Sequence, residues 1–169
     1  MKNEIKPVVP PDLFSAIVLA PFGAVGFISN GEKVSRLSFL PGHTMEKKAT
    51  DSFSKEVSRQ LENYLADPVF DLDFPVIVSG TDFRKRVWEE MKKIPAGQIR
   101  TYGDVARRIQ SAPRAVGGAC GGNPLVLYYP CHRIVASGGI GGFSGETDPD
   151  SVFLKIKRWL LRHEGALKN

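Results

Sequence analysis

The chain of 169 residues carries 23 Lys and Arg against 18 Asp and Glu, and 42% of it is hydrophobic. This length suffices for one globular unit or two small domains, and the net charge of +5 permits nucleic-acid binding without requiring it. Two cysteines and three scattered histidines exclude a disulfide scaffold and offer no tetrahedral zinc set. We therefore expect a cytoplasmic protein that holds no metal and no cofactor.

The N-terminal part of the chain has the pattern of a β-meander. Three β-prone runs separated by turn signals predict strands at residues 14–20, 24–29 and 34–40. Asn30-Gly31, a strong hairpin signal, separates the second run from the third. The apolar stretch at 16–28 is interrupted by Pro21, Gly23 and Gly26, so it predicts neither a signal peptide nor a membrane-spanning helix.

A helix is predicted after this meander. Apolar residues recur at helical spacing between residues 52 and 66, namely Phe53, Val57, Leu61, Tyr64 and Leu65. An extended segment is predicted at residues 70–78, and the pattern after it changes from strand-like to helical. We therefore divide the chain into an N-terminal domain of residues 1–79 and a C-terminal domain of residues 80–169.

The C-terminal part begins with the outline of a helix-turn-helix. Thr81 is placed to cap a helix that ends before Pro95. Thr101 opens a short helix, a break follows at residues 111–113, and a second short helix of small residues is predicted at 114–121. Two short helices joined by a tight break predict a helix-turn-helix.

The chain then approaches its second cysteine. An apolar run at residues 125–129 predicts a strand that leads into Pro-Cys-His-Arg at residues 130–133. A glycine-rich loop follows at 138–145, and a last helix is predicted from Asp150 to near Gly165. The cysteine therefore lies between a predicted strand and a flexible loop, a placement common for reactive groups.

Cys131 is the residue best suited to nucleophilic chemistry. A cysteine reacts as its thiolate, and a neighbouring base or cation favours that form. His132 and Arg133 follow Cys131 directly. For an isolated Cys-His dipeptide, however, a small buried cysteine beside a surface pair is the more common arrangement. On these residues alone, a nucleophile and a structural cysteine remain open alternatives.

The residues around Cys131 also form a longer string. Residues 123–135 read NPLVLYYPCHRIV. This string closely resembles the active-site segment of the O6-alkylguanine-DNA alkyltransferases, also called methylated-DNA–protein-cysteine methyltransferases. Four further segments resemble the two helix-turn-helix helices, the lesion-side loop and the closing helix of this family, in that order: residues 101–106, 114–119, 143–145 and 159–165. The resemblance begins at about Gly80, and the part before it carries no diagnostic residues.

The resemblance implies a fold and an activity. The fold is α/β (α+β), with a small ribonuclease-H-like N-terminal domain of a β-meander plus helix, and a mostly helical, winged-helix-like C-terminal domain. The activity is direct-reversal DNA repair, in which the alkyl group of O6-alkylguanine, or of O4-alkylthymine, moves irreversibly to the protein after base flipping. The implied partner is double-stranded DNA containing the alkylated base, bound through its minor groove by a monomer that requires no membrane.

The resemblance also implies catalytic roles for individual residues. Cys131 corresponds to the alkyl acceptor, and His132 to the base that removes its proton through a water. Glu164 corresponds to the carboxylate that orients this histidine. Tyr102 corresponds to the hydroxyl donor that stabilises the departing base.

Arg114 corresponds to the side chain that fills the space left by the flipped nucleotide. The other implied DNA contacts are Thr101, Ala115, Gly117 and Gly118. Three of these are small residues, and they leave a slim helix surface that can approach a widened minor groove.

Four residues correspond to the pocket and its hinge. Asn123 matches the hinge between the recognition helix and the active-site strand. Ile134 and Ser144 match positions whose backbone groups read the guanine edge. Phe143 stands where many relatives carry Tyr, so one hydroxyl is absent from the pocket wall, and Gly121 stands where some carry Arg, which weakens one possible DNA contact.

Two other functions remain open on the sequence. The alkyltransferase-like sensors flip the alkylated base without repairing it and usually carry Trp in place of the acceptor, so Cys131 argues against that class. A redox-sensing helix-turn-helix regulator is the second alternative. Its thiol chemistry is reversible by reductant, whereas a thioether is not.

Overall fold

The computed structural model describes residues 9–168, which fall into two units. The first contains the described residues up to Ser79 together with Pro124–Val126, and the second contains residues 80–123 and those from Leu127 onward. The sequence places the domain boundary at residues 79 and 80, and it does not assign residues 124–126 to the N-terminal part. Residues 1–8 of the predicted first domain, and Asn169 of the second, lie outside the described residues.

An antiparallel sheet and a long helix make up the first unit. The strands β1 (Ala16–Ala20), β2 (Gly23–Ser29) and β3 (Val34–Leu40) pair in the order β1-β2-β3. Helix α1 (Ser52–Ala66) packs against β1, and the Asp51 carboxylate accepts a hydrogen bond from the Ser54 N–H at its start. The predicted meander and helix are confirmed. β1 begins at Ala16, two residues later than predicted, and Phe14 and Ser15 separate it from the 3-10 turn Pro11–Leu13.

Two further segments, residues 70–78 and 125–129, were predicted to be extended. Residues 70–78 form no regular strand, but Val76 makes an isolated parallel bridge to Val34. The predicted strand at residues 125–129 is wrong. Leu125 bridges to Leu37 within the first unit, whereas Leu127 belongs to the second unit and adopts a φ of 70°. The chain therefore turns inside the apolar run, because tertiary contacts override its β propensity.

The second unit is built on three helices that pack on one another. These are α2 (Asp82–Lys92), capped by Thr81 as predicted, α3 (Tyr102–Arg108) and α4 (Pro113–Gly121). The indole N–H of Trp88 in α2 donates to the Ala119 carbonyl in α4 at 2.9 Å. Arg86 of α2 donates to the Ile109 carbonyl just after α3 at 2.7 Å. The predicted helix-turn-helix is confirmed, and α2 holds both of its helices.

A short parallel pairing joins this motif to the chain after Cys131. Strand β4 (Arg100–Thr101) pairs with β5 (Ile134–Val135), a contact that the sequence did not predict. Helix α5 (Val152–His163) follows, with Ser151 rather than Asp150 at its N-terminal cap. Gly165 ends it with a φ of 78°, a conformation that glycine adopts without steric cost. Among residues 9–168, no helix has both the length and the apolar character needed to cross a membrane.

Candidate active site

Cys131 begins a 3-10 turn, Cys131–Arg133, rather than ending a strand as the sequence predicts. Its residue surface is 6% exposed. The Asn123 side-chain amide donates to the Cys131 Sγ at 2.9 Å and to the Tyr129 carbonyl at 2.8 Å. Asn123 therefore fixes both ends of the short segment that leads to the thiol.

The surroundings of Cys131 favour the neutral thiol. Burial raises its pKa well above the ordinary value, and the neighbouring Cys120 raises it further. The hydrogen bond from Asn123 and the charge of Lys157 act in the opposite direction but are smaller effects. A resting thiol in this environment needs a base before it can act as a nucleophile.

A histidine, a carboxylate and an arginine form a buried cluster behind this turn. The His132 Nε2 lies 2.6 Å from Glu164 Oε1, and the Arg133 Nε donates to the same oxygen at 2.8 Å. Arg133 also donates to the Ile94 carbonyl at 2.6 Å. Burial alone favours a protonated Glu164, but its bonds and charges with His132 and Arg133 lower its pKa to about 2. Glu164 is therefore ionised at neutral pH.

This cluster determines the protonation state of His132. Burial lowers the pKa of His132, and this effect outweighs the raising influence of Glu164. His132 is therefore neutral at pH 7. Because an ionised carboxylate only accepts hydrogen bonds, the ring proton lies on Nε2, which leaves the Nδ1 lone pair as the base.

His132 does not contact the thiol directly. Among the hydrogen bonds of residues 9–168, the ring bonds to Glu164 and none joins it to the Cys131 Sγ. A proton that moves from Cys131 to His132 therefore requires an intervening group, and a water is the simplest one.

An open cavity of about 290 Å³ lies over Cys131. Besides Cys131, five residues that the sequence singles out line it: Tyr102, Gly117, Gly121, Phe143 and Ser144. The wall also contains Cys120, Ala136 and further residues of the segment 141–147. Ser144 adopts a φ of 50°, an uncommon conformation for a residue with a side chain, and it turns the loop beside the cavity.

Tyr102 stands at the start of α3 with its hydroxyl in this cavity. Its Oη donates to the Gly142 carbonyl at 3.2 Å. Burial raises the pKa of Tyr102, so the phenol stays protonated and available as a hydrogen-bond donor. Ile134, also singled out from the sequence, is buried in β5, three residues after the nucleophile.

The other predicted DNA contacts lie on the helix-turn-helix. Arg114, Ala115 and Gly118 are exposed on α4, and an added Cβ at Gly117 or Gly118 meets nothing within 4 Å. Thr101 has a clear structural role, because its hydroxyl accepts from the Asp104 N–H at 3.0 Å and Asp104 bonds back to the Thr101 N–H. Thr101 is thus the N-terminal cap of α3.

Sequence reasoning missed two charged residues of this site. Arg133 was noted only as a neighbour of Cys131, and Lys157 was not noted. Lys157 is fully buried in α5, four residues after Phe153 and three before Leu160. A lysine at that spacing lies on the apolar stripe of an amphipathic helix, and this is the signal that could have found it.

Similar proteins are known for both halves of the chain. A family described as "6-O-methylguanine DNA methyltransferase, DNA binding domain" matches residues 82–166. A methylated-DNA–protein-cysteine methyltransferase of Metallosphaera sedula is 36% identical over 151 residues, which are 88% of this chain and 91% of that protein.

Solved structures give the same result. The Mycobacterium tuberculosis O6-methylguanine methyltransferase has a TM-score of 0.72 at 31% identity, covering 90% of this chain and 93% of its own. The same organism's protein in complex with DNA has a TM-score of 0.71 at 30% identity, covering 88% and 90%. These similarities confirm the predicted α+β fold class. The chain belongs to the methylated-DNA–protein-cysteine methyltransferase family.

Proposed function

We propose that this protein repairs DNA by moving the alkyl group of O6-alkylguanine onto Cys131, once per molecule. The observation that carries the proposal is the Cys131 thiol beneath an open cavity, with neutral His132 and ionised Glu164 directly behind it. A thiol, a base and a group that orients the base are the parts that a nucleophilic displacement requires. Membership of the family supports the same reaction.

The proposed reaction has one displacement step. The Cys131 sulfur attacks the saturated carbon, the S–C bond forms, and the C–O6 bond of guanine breaks. The thiol proton passes through a water to Nδ1 of His132, and Glu164 stabilises the resulting imidazolium. Tyr102 turns its hydroxyl from the Gly142 carbonyl to the departing base, where negative charge develops. The thioether product has no leaving group of comparable quality, so the protein is consumed.

The proposal also assigns the DNA contact. The O6 substituent lies inside the stacked duplex, so the nucleotide must be extruded before it can enter the cavity. We assign minor-groove docking to α4, whose Ala115, Gly117 and Gly118 leave its surface slim, with Arg114 inserted where the nucleotide had been. Ile134 and Ser144 supply backbone groups to the guanine edge, Phe143 stacks at the wall, and the protein acts as a monomer.

Peptide mass spectrometry after incubation with duplex DNA containing O6-methylguanine tests the proposal. We expect one methyl group on the peptide that contains Cys131, unchanged by reductant. Cys131→Ser should accept no methyl group while it still binds DNA, and Cys120→Ser should still be methylated on Cys131. Methyl on Cys120, or damage-specific binding without any transfer, would contradict the assignment. A mass change that dithiothreitol reverses would favour a redox regulator instead.

A further inference from the structure

A lysine without an acidic partner is buried in the unit that carries the cavity. Lys157 has no exposed surface, and burying an ammonium group is costly unless its donors are satisfied. Its Nζ donates to the Ile134 carbonyl at 2.7 Å and to the Gly142 carbonyl at 2.8 Å. Among residues 9–168, no carboxylate forms a salt bridge with it.

The two carbonyls belong to two different segments of the chain near the cavity. Ile134 begins β5 and lies three residues after Cys131. Gly142 belongs to the glycine-rich loop that lines the cavity. One ammonium group therefore ties the segment of the nucleophile to the loop that would contact the base.

The Gly142 carbonyl is shared with Tyr102, whose hydroxyl also donates to it at 3.2 Å. A carbonyl oxygen can accept two hydrogen bonds. When the Tyr102 hydroxyl turns to a bound base, Lys157 keeps this carbonyl satisfied. The tyrosine can therefore change partner without leaving an unpaired buried acceptor, which is a costly state.

The charge of Lys157 also acts on the groups around it. It lowers the pKa of Cys131 and of His132. Burial lowers the pKa of Lys157 itself to about 8, and Cys120 and Cys131 raise it in part. Its Nζ lies 5.9 Å from the ring centres of Tyr102 and Phe143. Lys157 is thus still protonated at pH 7, and its charge acts on Cys131.

We infer that Lys157 is a positioning residue of this site, which clamps the Ile134 and Gly142 carbonyls and supplies a positive charge that favours the Cys131 thiolate. The clamp keeps the loop in place for the base, and the charge partly offsets the effect of burial on the thiol. The inference rests on the proposed alkyl transfer, but the charge can be tested without it.

Two substitutions separate the clamp from the charge. Lys157→Met removes both, and Lys157→Gln removes the charge but keeps two N–H donors. Lys155→Met is the control, because Lys155 is exposed on the same helix. The first measurement is the rate of Cys131 modification by iodoacetamide against pH, followed on the Cys131 peptide. The second is the rate of Cys131 methylation by free O6-methylguanine, with the unfolding temperature recorded for each variant.

We expect both Lys157 variants to shift the iodoacetamide profile to higher pH, because the charge that favours the thiolate is lost. Methylation by the free base at pH 7 should fall on the order of tenfold in Lys157→Gln and further in Lys157→Met, which also loses the hydrogen bonds to both carbonyls. Lys155→Met should match the wild type. Folded Lys157 variants with a lower unfolding temperature but an unshifted profile would overturn the inference and leave Lys157 a structural residue.

If neither variant folds, the wild-type profile decides. The inference requires a second inflection near pH 8, where Lys157 loses its proton, and Cys120→Ser removes the competing thiol from this measurement. A profile with a single thiol titration would contradict it. If the wild type reacts with iodoacetamide as expected but accepts no methyl group, the proposed function fails while the role of the lysine charge stands.

Discussion

The turn that carries Cys131 and the helix α4 belong to the same unit, yet they are built in opposite ways. Cys131 and His132 are 6% and 1% exposed, and each has its polar partner within the protein. Arg114, Ala115 and Gly118 on α4 are exposed, and the glycine surface is open. A displacement reaction needs fixed geometry, whereas docking on a duplex needs an accessible surface without bulk. Substitutions in the two regions should therefore have different consequences.

The largest effect is expected in the buried cluster. Glu164→Gln removes the charge that orients His132 and stabilises its protonated form, and it leaves Arg133 without its anion. The rate of Cys131 methylation should fall on the order of 10³-fold, equally with duplex DNA and with free base. Single-turnover kinetics on both substrates measures this. Glu62→Gln, on the exposed face of α1, is the control. If the rate fell with duplex DNA only, Glu164 would act in DNA docking rather than in catalysis.

The same cluster should make the fold sensitive to acid. The pKa of Glu164 is about 2 in the folded protein and 4.5 ordinarily, so its stabilisation is present above pH 4.5 and is lost as the pH falls towards 2. The difference corresponds to about 3 kcal/mol. Urea unfolding across this pH range measures it.

Glu164→Gln should flatten this part of the stability curve. His132 contributes at higher pH, because its lowered pKa favours the neutral ring and folding is weakened as the pH falls below 6.5. An equal acid dependence in wild type and Glu164→Gln would show that other carboxylates dominate.

A substitution on α4 should change the methylation rate with duplex DNA but not the rate with free base. Arg114→Ala should slow methylation by saturating duplex DNA about tenfold, because the space left by the flipped nucleotide stays empty, and leave the reaction with free base unaffected. Arg107→Ala, at an exposed position of α3, is the comparison. This variant should bind any duplex more weakly, and lowering the salt should restore the binding. Arg114→Ala with the same salt-restorable defect would make Arg114 an ordinary phosphate contact.

The smallest effect concerns Thr101, predicted as a DNA contact but observed as the cap of α3. Thr101→Ala should reduce the free energy of unfolding by about 1 kcal/mol, and Thr101→Ser should retain most of it. Thermal unfolding of both variants, together with their affinity for undamaged duplex, measures the two roles. If Thr101→Ala keeps its stability and loses affinity, Thr101 acts on DNA rather than as a cap.

The sequence predicted the elements whose signals are local. Helix α1 was placed at its observed bounds because its apolar spacing lies within the segment itself. The meander and the helix-turn-helix were predicted for the same reason. The run at 125–129 was predicted wrongly, because Leu125 pairs with Leu37, which is remote in the sequence, while Leu127 already belongs to the other unit.

For this protein, the sequence by itself determined the helices, the meander and the identity of the nucleophile segment, since turn residues, caps and motifs are read within a few positions. Tertiary structure alone decided the electrostatics of the site. It brought Glu164 to His132 across 32 positions and Lys157 to Gly142 across 15, and it buried Cys131. Burial and charge shift pKa values through space, so no pattern along the chain shows that His132 is neutral and Glu164 ionised.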